Sequence, residues 1–272
     1  MAAFYDTHAH LTDPDFEADL PPLLERARTA GIVKMISVGT DLDSSRRAIK
    51  LAEQYPCVYA AVGWHPSHVT AAPDDVRPAL RELAKHPKVV ALGETGLDYY
   101  RLPGARDGGT AEDDERYKRR QAELFRQHLD VAAAAGLNCV IHQRGDCFNE
   151  TLALLTPFAD RVRGVFHCFS ADVPAMQRIL ALGSIVSFTG IVTFKNARSV
   201  RDTVAAAPPG QFMLETDCPY LAPEPYRGKR CEPAYVKEIS ETVARVKGCT
   251  LDELSAATCA TAEKFFRKNA SA

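Results

Sequence analysis

Four histidines and two carboxylates, His8, His10, Glu94, His142, His167 and Asp217, offer the nitrogen and oxygen donors that borderline divalent ions such as Zn²⁺ or Mn²⁺ favour. His8 and His10 are two residues apart, and in an extended segment that spacing turns both imidazoles to the same side. Glu94 has two oxygens and is able to bridge two ions. Each residue also has a plainer reading when taken alone. His142 in VIHQR and His167 in VFHCF each follow two apolar residues, as packed core histidines do. Glu94 has Arg144 available as an ion-pair partner, and Asp217 in ETDCP can cap the turn before Pro219. Glu215 is expected on the face of a strand that it shares with Asp217, either as an extra ligand or as a side chain that orients the others. Asp6 stands in the same relation to His8 and reads as a structural support. His86 and His128 fall in turn or helical contexts and read as solvated.

The six share one feature of position: they lie toward the C-terminal ends of β-rich runs. Eight such runs are expected at residues 4–8, 33–39, 58–65, 89–94, 138–142, 164–169, 184–190 and 212–217. Helical segments are expected at 17–30, 43–54, 74–85, 115–135, 148–158, 173–182, 196–206, 233–247 and 251–267. Near-continuous apolar strands suit a parallel sheet covered by helices, and eight units of this size fit a closed (β/α)8 TIM barrel, an α/β fold, as a single domain over residues 1–272. In such a barrel the C-terminal strand ends converge on one face, so residues far apart in the chain meet there; His65, at the end of the third run, joins them. An open doubly wound sheet is the competing fold, but no G-x-G-x-x-G follows the first run. Two stretches break the rhythm. Residues 103–114, rich in glycine and acidic side chains, read as a mobile surface loop. Residues 219–233 carry Arg227, Lys229 and Arg230 to a place where they could lean over the barrel mouth.

Thirty-three Lys and Arg against 35 Asp and Glu give a formal charge of −2, which weakens a pure nucleic-acid-binding module but leaves room for an enzyme that draws an anion through bound metal. Eight cysteines with no CxxC, several of them in apolar runs, read as free thiols of a reducing compartment. The N-terminus has no basic, apolar leader and no window is apolar enough to span a bilayer, so a cytoplasmic, membrane-free protein is expected.

With these residues in place, the sequence resembles the TatD family of metal-dependent deoxyribonucleases, a branch of the amidohydrolase-like barrels. The resemblance rests on FYDTHAHLTD (4–13), GWHPS (63–67), ALGETGLDYY (91–100), VIHQR (140–144), FHCFS (166–170), TG (189–190), LETDCPYLAP (214–223), RGKRCEPAYV (227–236) and A-x-x-F-F (262–266), in order along nearly the whole chain. It implies two divalent ions, Mg, Mn or Zn. His8, His10, Glu94 and Asp217 would surround one, and Glu94, His142 and His167 the other. His65 and Arg144 would lie near the substrate phosphate. It also implies hydrolysis of DNA, as a 3′ to 5′ exonuclease preferring single strands, with no obligate protein partner. The chain departs from the family pattern at Thr12, Ser67, Gly145 and Cys231, none of them a proposed ligand.

Two ions so held would divide the hydrolysis of a phosphodiester, one acidifying a water and the other withdrawing charge from the phosphoryl oxygens. Glu94 and Asp217 are the expected catalytic residues, with Asp217 taking the water's proton. Arg144 would meet phosphate with its planar fork. Tyr99, Tyr100 or Tyr226 would stack bases at the rim. The competing enzyme reading is a hydrolase of a small ester, amide or phosphoester on the same barrel. A non-catalytic nucleic-acid-binding barrel is the third reading, and it predicts missing ligands.

Overall fold

The computed structural model describes residues 2–105 and 108–267. Eight strands, β1 (Phe4–Ala9), β2 (Ile32–Val38), β3 (Val58–Val62), β4 (Val89–Asp98), β5 (Asn138–Arg144), β6 (Gly164–Phe166), β7 (Ile185–Phe188) and β8 (Phe212–Leu214), pair in parallel in chain order. The sheet curls until its edges meet. Ala9 bridges Cys218, the His10 N–H donates to the Cys218 carbonyl at 2.9 Å, and the Asp217 N–H donates to the His8 carbonyl at 2.9 Å. This is the expected (β/α)8 barrel, not the open sheet. Helices α1 (Leu20–Thr29), α2 (Leu42–Gln54), α3 (Arg77–Leu83), α4 (Ala111–Ala135), α5 (Phe148–Leu155), α6 (Val173–Ala181), α7 (Arg198–Ala206), α8 (Val236–Lys247) and α9 (Leu251–Phe265) follow the strands.

The strands are buried on both faces, as strands between a packed interior and a helical coat must be. Inside the barrel, Ile36, Val38, Ala61, Ala91, Val140, Val165, Ile185 and Met213 form one apolar cluster, and Ala262 and Phe265 of α9 complete it. The N-terminal end is therefore apolar and covered by α9, with a cavity of about 750 Å³ beside Tyr5, Tyr59 and Phe266, and the opposite end is left to polar residues.

Several boundaries differ from expectation for identifiable reasons. Helix α4 begins at Ala111 because Thr110 caps it, accepting from the Asp113 N–H while the Asp113 side chain accepts from the Thr110 N–H. The acidic run Glu112, Asp113 and Asp114 is thus the first turn of a helix, where negative charge is favoured, and not loop. Of the expected loop, Pro103–Ala105 forms a 3₁₀ turn, and residues 106–107 lie outside the described residues. Strands β3, β6, β7 and β8 stop earlier than expected, whereas β4 runs on through Glu94 to Asp98 and β5 through His142 to Arg144. Arg230 does not lean over the mouth. Its guanidinium donates to both Asp19 oxygens at 2.7–2.8 Å, Arg227 lies 3.8 Å above the Phe194 ring, and Lys229 sits over Tyr226. All eight cysteines are free, and no helix among the described residues is long and apolar enough to cross a membrane.

Candidate metal centre

His8 lies on β1 and His10 directly follows it, two residues apart on an extended chain, so both rings turn into the mouth. Glu94 sits inside β4 and His142 inside β5. Between Glu94 and Asp98, Gly96 adopts φ +136°, and a Cβ there would lie 2.1 Å from the His142 carbonyl oxygen. Only glycine lets β4 run this close to β5 and keep the two ligand-bearing strands together. His167 directly follows β6 and His65 follows β3, where its ring accepts from the Ser67 N–H at 3.0 Å and caps the next turn.

Asp217 departs from the expected strand geometry. Strand β8 ends at Leu214, and Asp217 adopts φ +59°. Strand alternation therefore does not relate Asp217 to Glu215, and the two carboxylates do different things. Asp217 faces His8 and His10 at 3.6 and 3.4 Å. Glu215, buried, accepts from the Cys168 N–H at 2.7 Å and lies 3.7 Å from His167 Nδ1, so it orients the His167 segment and falls in none of the ligand groups. Asp6 is the expected support: it accepts from the N–H of Thr216 at 2.9 Å and from its hydroxyl, tying β1 to the segment after β8. Burial raises the Asp6 pKa to about 7.

The donor atoms divide about the two oxygens of Glu94. Around Oε2, His8 Nε2, His10 Nε2 and Asp217 Oδ1 make contacts of 3.3–3.6 Å with it or with one another. His8, His10 and Asp217 lie close enough together to hold one ion between them, with Glu94 Oε2 against both imidazoles. Around Oε1 stand His142 Nδ1 at 2.8 Å, His167 Nε2 at 2.8 Å and His65 Nε2 at 3.4 Å. His65, expected beside the substrate, is therefore also at ligand distance, 3.3 Å from His142 Nδ1. The arrangement fits a cation. Ring nitrogen faces ring nitrogen in His8–His10, His65–His142 and His142–His167 at 3.1–3.3 Å, and one proton per pair cannot satisfy every lone pair. His10 donates from Nδ1 to the Val38 carbonyl at 3.2 Å, which leaves its Nε2 lone pair for the cluster.

The electrostatics agree. Burial would raise the pKa of Glu94, but the surrounding imidazoles, His167 foremost, outweigh it and hold the carboxyl well below its usual range. Asp217 behaves alike: burial opposes ionisation, and the neighbouring His10, His8 and His167 overcome it. Burial drives His65 down to about 4, so its ring is neutral and able to ligate.

The centre floors a cavity of about 980 Å³, open at the C-terminal face. Arg144 lines it, stacked 4.0 Å above the Tyr100 ring, and so do Arg47 and Arg101; none of the three forms an ion pair among the described residues. Glu94 is not paired with Arg144, as the plainer reading would have it. Tyr100 and Tyr220 stand at the rim, 58 % and 56 % exposed. The other expected rim tyrosines are elsewhere: Tyr99 donates to Glu150 at 2.8 Å, and Tyr226 stacks on Tyr235. His128 is not solvated but fully buried, accepting at Nε2 from the Trp64 N–H at 2.9 Å with Nδ1 against the Leu124 carbonyl. Sequence reasoning missed Asp98, whose Oδ2 lies 3.1 Å from His142 Nε2. The signal was present, since Glu94, Gly96 and Asp98 alternate onto one face of a strand once β4 is known to continue.

The chain as a whole is similar to known proteins. A sequence model of the family described as TatD related DNase matches residues 5–267. The metal-dependent hydrolase YabD of Bacillus subtilis is 36 % identical, with 97 % of this chain and 99 % of that protein covered. A protein of Cronobacter turicensis named 3′-5′ ssDNA/RNA exonuclease TatD is 34 % identical, with 98 % and 99 % covered. Among solved structures, a TatD homologue from Escherichia coli K12 superposes with a TM-score of 0.87 at 28 % identity, with 97 % of this chain and 98 % of that chain covered.

Proposed function

The chain belongs to the TatD family of metal-dependent hydrolases, and from that membership we propose that it hydrolyses single-stranded DNA from the 3′ end, using two divalent ions shared by Glu94. The observation that carries the reading is the division of donors about one buried carboxylate: His8 and His10 on Oε2, with Asp217 against both rings, and His65, His142 and His167 on Oε1. Mg²⁺, Mn²⁺ or Zn²⁺ held there supplies Lewis acidity toward water and the phosphoryl oxygens. The remaining work belongs to the protein. Asp217, kept ionised beside His10, accepts the proton of the attacking water at the oxygen that does not face His8 and His10. The Arg144 guanidinium pairs with non-bridging phosphate oxygens, pre-oriented by its stack on Tyr100. The exposed rings of Tyr100 and Tyr220 take up unstacked bases, which a single strand offers and a duplex does not. Free thiols throughout support a reducing, cytoplasmic setting.

The test is a single-stranded oligonucleotide labelled at its 5′ end, incubated with the protein and each metal in turn, with EDTA as control. A ladder of progressively shortened labelled fragments, abolished by EDTA, is expected. Immediate release of labelled mononucleotide would reverse the polarity. An untouched strand, with hydrolysis of p-nitrophenyl esters by the same metal-loaded protein, would replace DNA with a small ester.

A further inference from the structure

Asp98 touches the metal centre without belonging to any of its ligand groups. Its Oδ2 lies 3.1 Å from Nε2 of His142, on the opposite side of the ring from Nδ1, which faces Glu94 Oε1 at 2.8 Å. Its Oδ1 accepts from the Tyr100 N–H at 2.9 Å, and Tyr100 is the ring on which Arg144 stacks. The aspartate is itself held. Its backbone N–H donates to Gln121 Oε1 at 2.9 Å, and the Gln121 amide donates back to the Asp98 carbonyl at 3.2 Å from a fully buried position on α4.

A carboxylate can only accept, so a neutral His142 facing Asp98 carries its proton on Nε2 and presents the Nδ1 lone pair to the Oε1 group. We infer that Asp98 is a positioning residue for that half of the centre: one oxygen fixes the tautomer and ring plane of His142, and the other holds the Tyr100–Arg144 rim in register with it. The inference rests on the proposed role of His142 as an ion ligand. It gives the chain one side chain through which the ion-holding and substrate-gripping parts of the mouth are aligned.

An amide in place of the carboxylate makes a sharp probe. In Asp98→Asn the NH₂ group would donate to Nε2, forcing the ring proton to Nδ1 and turning an N–H toward the Oε1 group. The experiment measures Zn²⁺ affinity and stoichiometry by competition with a chromophoric chelator for the wild type, Asp98→Asn, His142→Ala and the double variant. The thermal midpoint of each metal-free protein is recorded alongside. Asp98→Asn is expected to weaken one ion by roughly 10- to 100-fold. The double variant should bind no more weakly than His142→Ala alone, because a residue acting through His142 has nothing left to position. A merely structural aspartate would instead lower metal-free stability and add its effect to that of His142→Ala. Asp98→Ala runs in parallel and carries the same expectation should the amide fold poorly. Unchanged Zn²⁺ affinity in Asp98→Asn, or additivity in the double variant, overturns the inference while His142 remains a ligand. Unchanged affinity in His142→Ala removes the ligand reading itself, and the inference with it.

Discussion

Glu94 is 2 % exposed and surrounded by imidazoles, an environment in which a carboxylate survives only because its charge is answered from several sides. Replacing it with glutamine keeps the shape and removes both the charge and one of the two acceptor oxygens. Glu94→Gln is therefore expected to lower turnover by roughly a thousandfold or more, since both halves of the centre lose their shared anion. Circular dichroism should show the barrel retained; wild-type turnover in this variant would end the shared-carboxylate scheme. At this scale the sequence was legible where chemistry is tied to strand alternation. The period of two turned His8 and His10 to one side but was weak alone, and it was the shared position of His8, His10, Glu94, His142 and His167 toward the C-terminal ends of apolar runs that marked them as a set. Asp217 was recognised by type but not by geometry, because its left-handed φ lies past the strand end, where alternation carries no information. Asp98 went unread because β4 was expected to stop at Glu94, and His128 because a polar residue in a helix gives no sign of which face it occupies.

The element that most shapes the mouth without ligating anything is α4. Tyr117, Gln121 and His128 recur on one of its faces and reach the backbone of the segments that carry His65 and Asp98: Tyr117 donates to the Ser67 carbonyl, Gln121 to the Pro66 carbonyl, and His128 accepts from Trp64. Burial depresses the His128 pKa from 6.5 to about 4, so the folded protein holds it neutral while the unfolded chain protonates it below 6.5. The unfolded state thus binds the extra proton, and stability falls as pH drops from 6.5 to about 4 and levels off below. The contribution is about 3 kcal/mol over that window. Denaturant melts of wild type and His128→Gln, whose amide oxygen still accepts from Trp64, should diverge across this interval, with the wild type losing more. Parallel curves would show that His128 is protonated in the fold. The barrel's alternating rhythm was readable because each strand is a short apolar run. The exact ends of the helices were not, because caps such as Thr110 act through hydrogen bonds that composition does not display.

Over the whole molecule the charge nearly cancels, with 33 basic against 35 acidic side chains, so a strand cannot be gathered by a general field. Under the proposed function, attraction would come from ions at the centre and from Arg47, Arg101 and Arg144, which line the cavity. If each arginine meets one phosphate, the logarithm of single-strand affinity should fall against the logarithm of salt with a slope of roughly −2, and Arg144→Ala should bring it to roughly −1.4. Fluorescence anisotropy of a labelled oligonucleotide on the Glu94→Gln protein measures both. An unaltered slope in the arginine variant would take Arg144 off the phosphate path. The seam of the barrel has a different bearing on the whole. Strands β1 and β8 share no ladder within their spans, and the join is made by Ala9 with Cys218, by Asp6 with Thr216, and by His8, His10 and Asp217 facing one another. His8 and Asp217 are 209 positions apart. An ion held by both would act as a removable cross-link, a clasp between the first and last staves. In a loop-closure picture, tying a segment of that length is equivalent to about 5 kcal/mol of chain entropy. The reagent that cuts the substrate would then also be the fastening that keeps the vessel round.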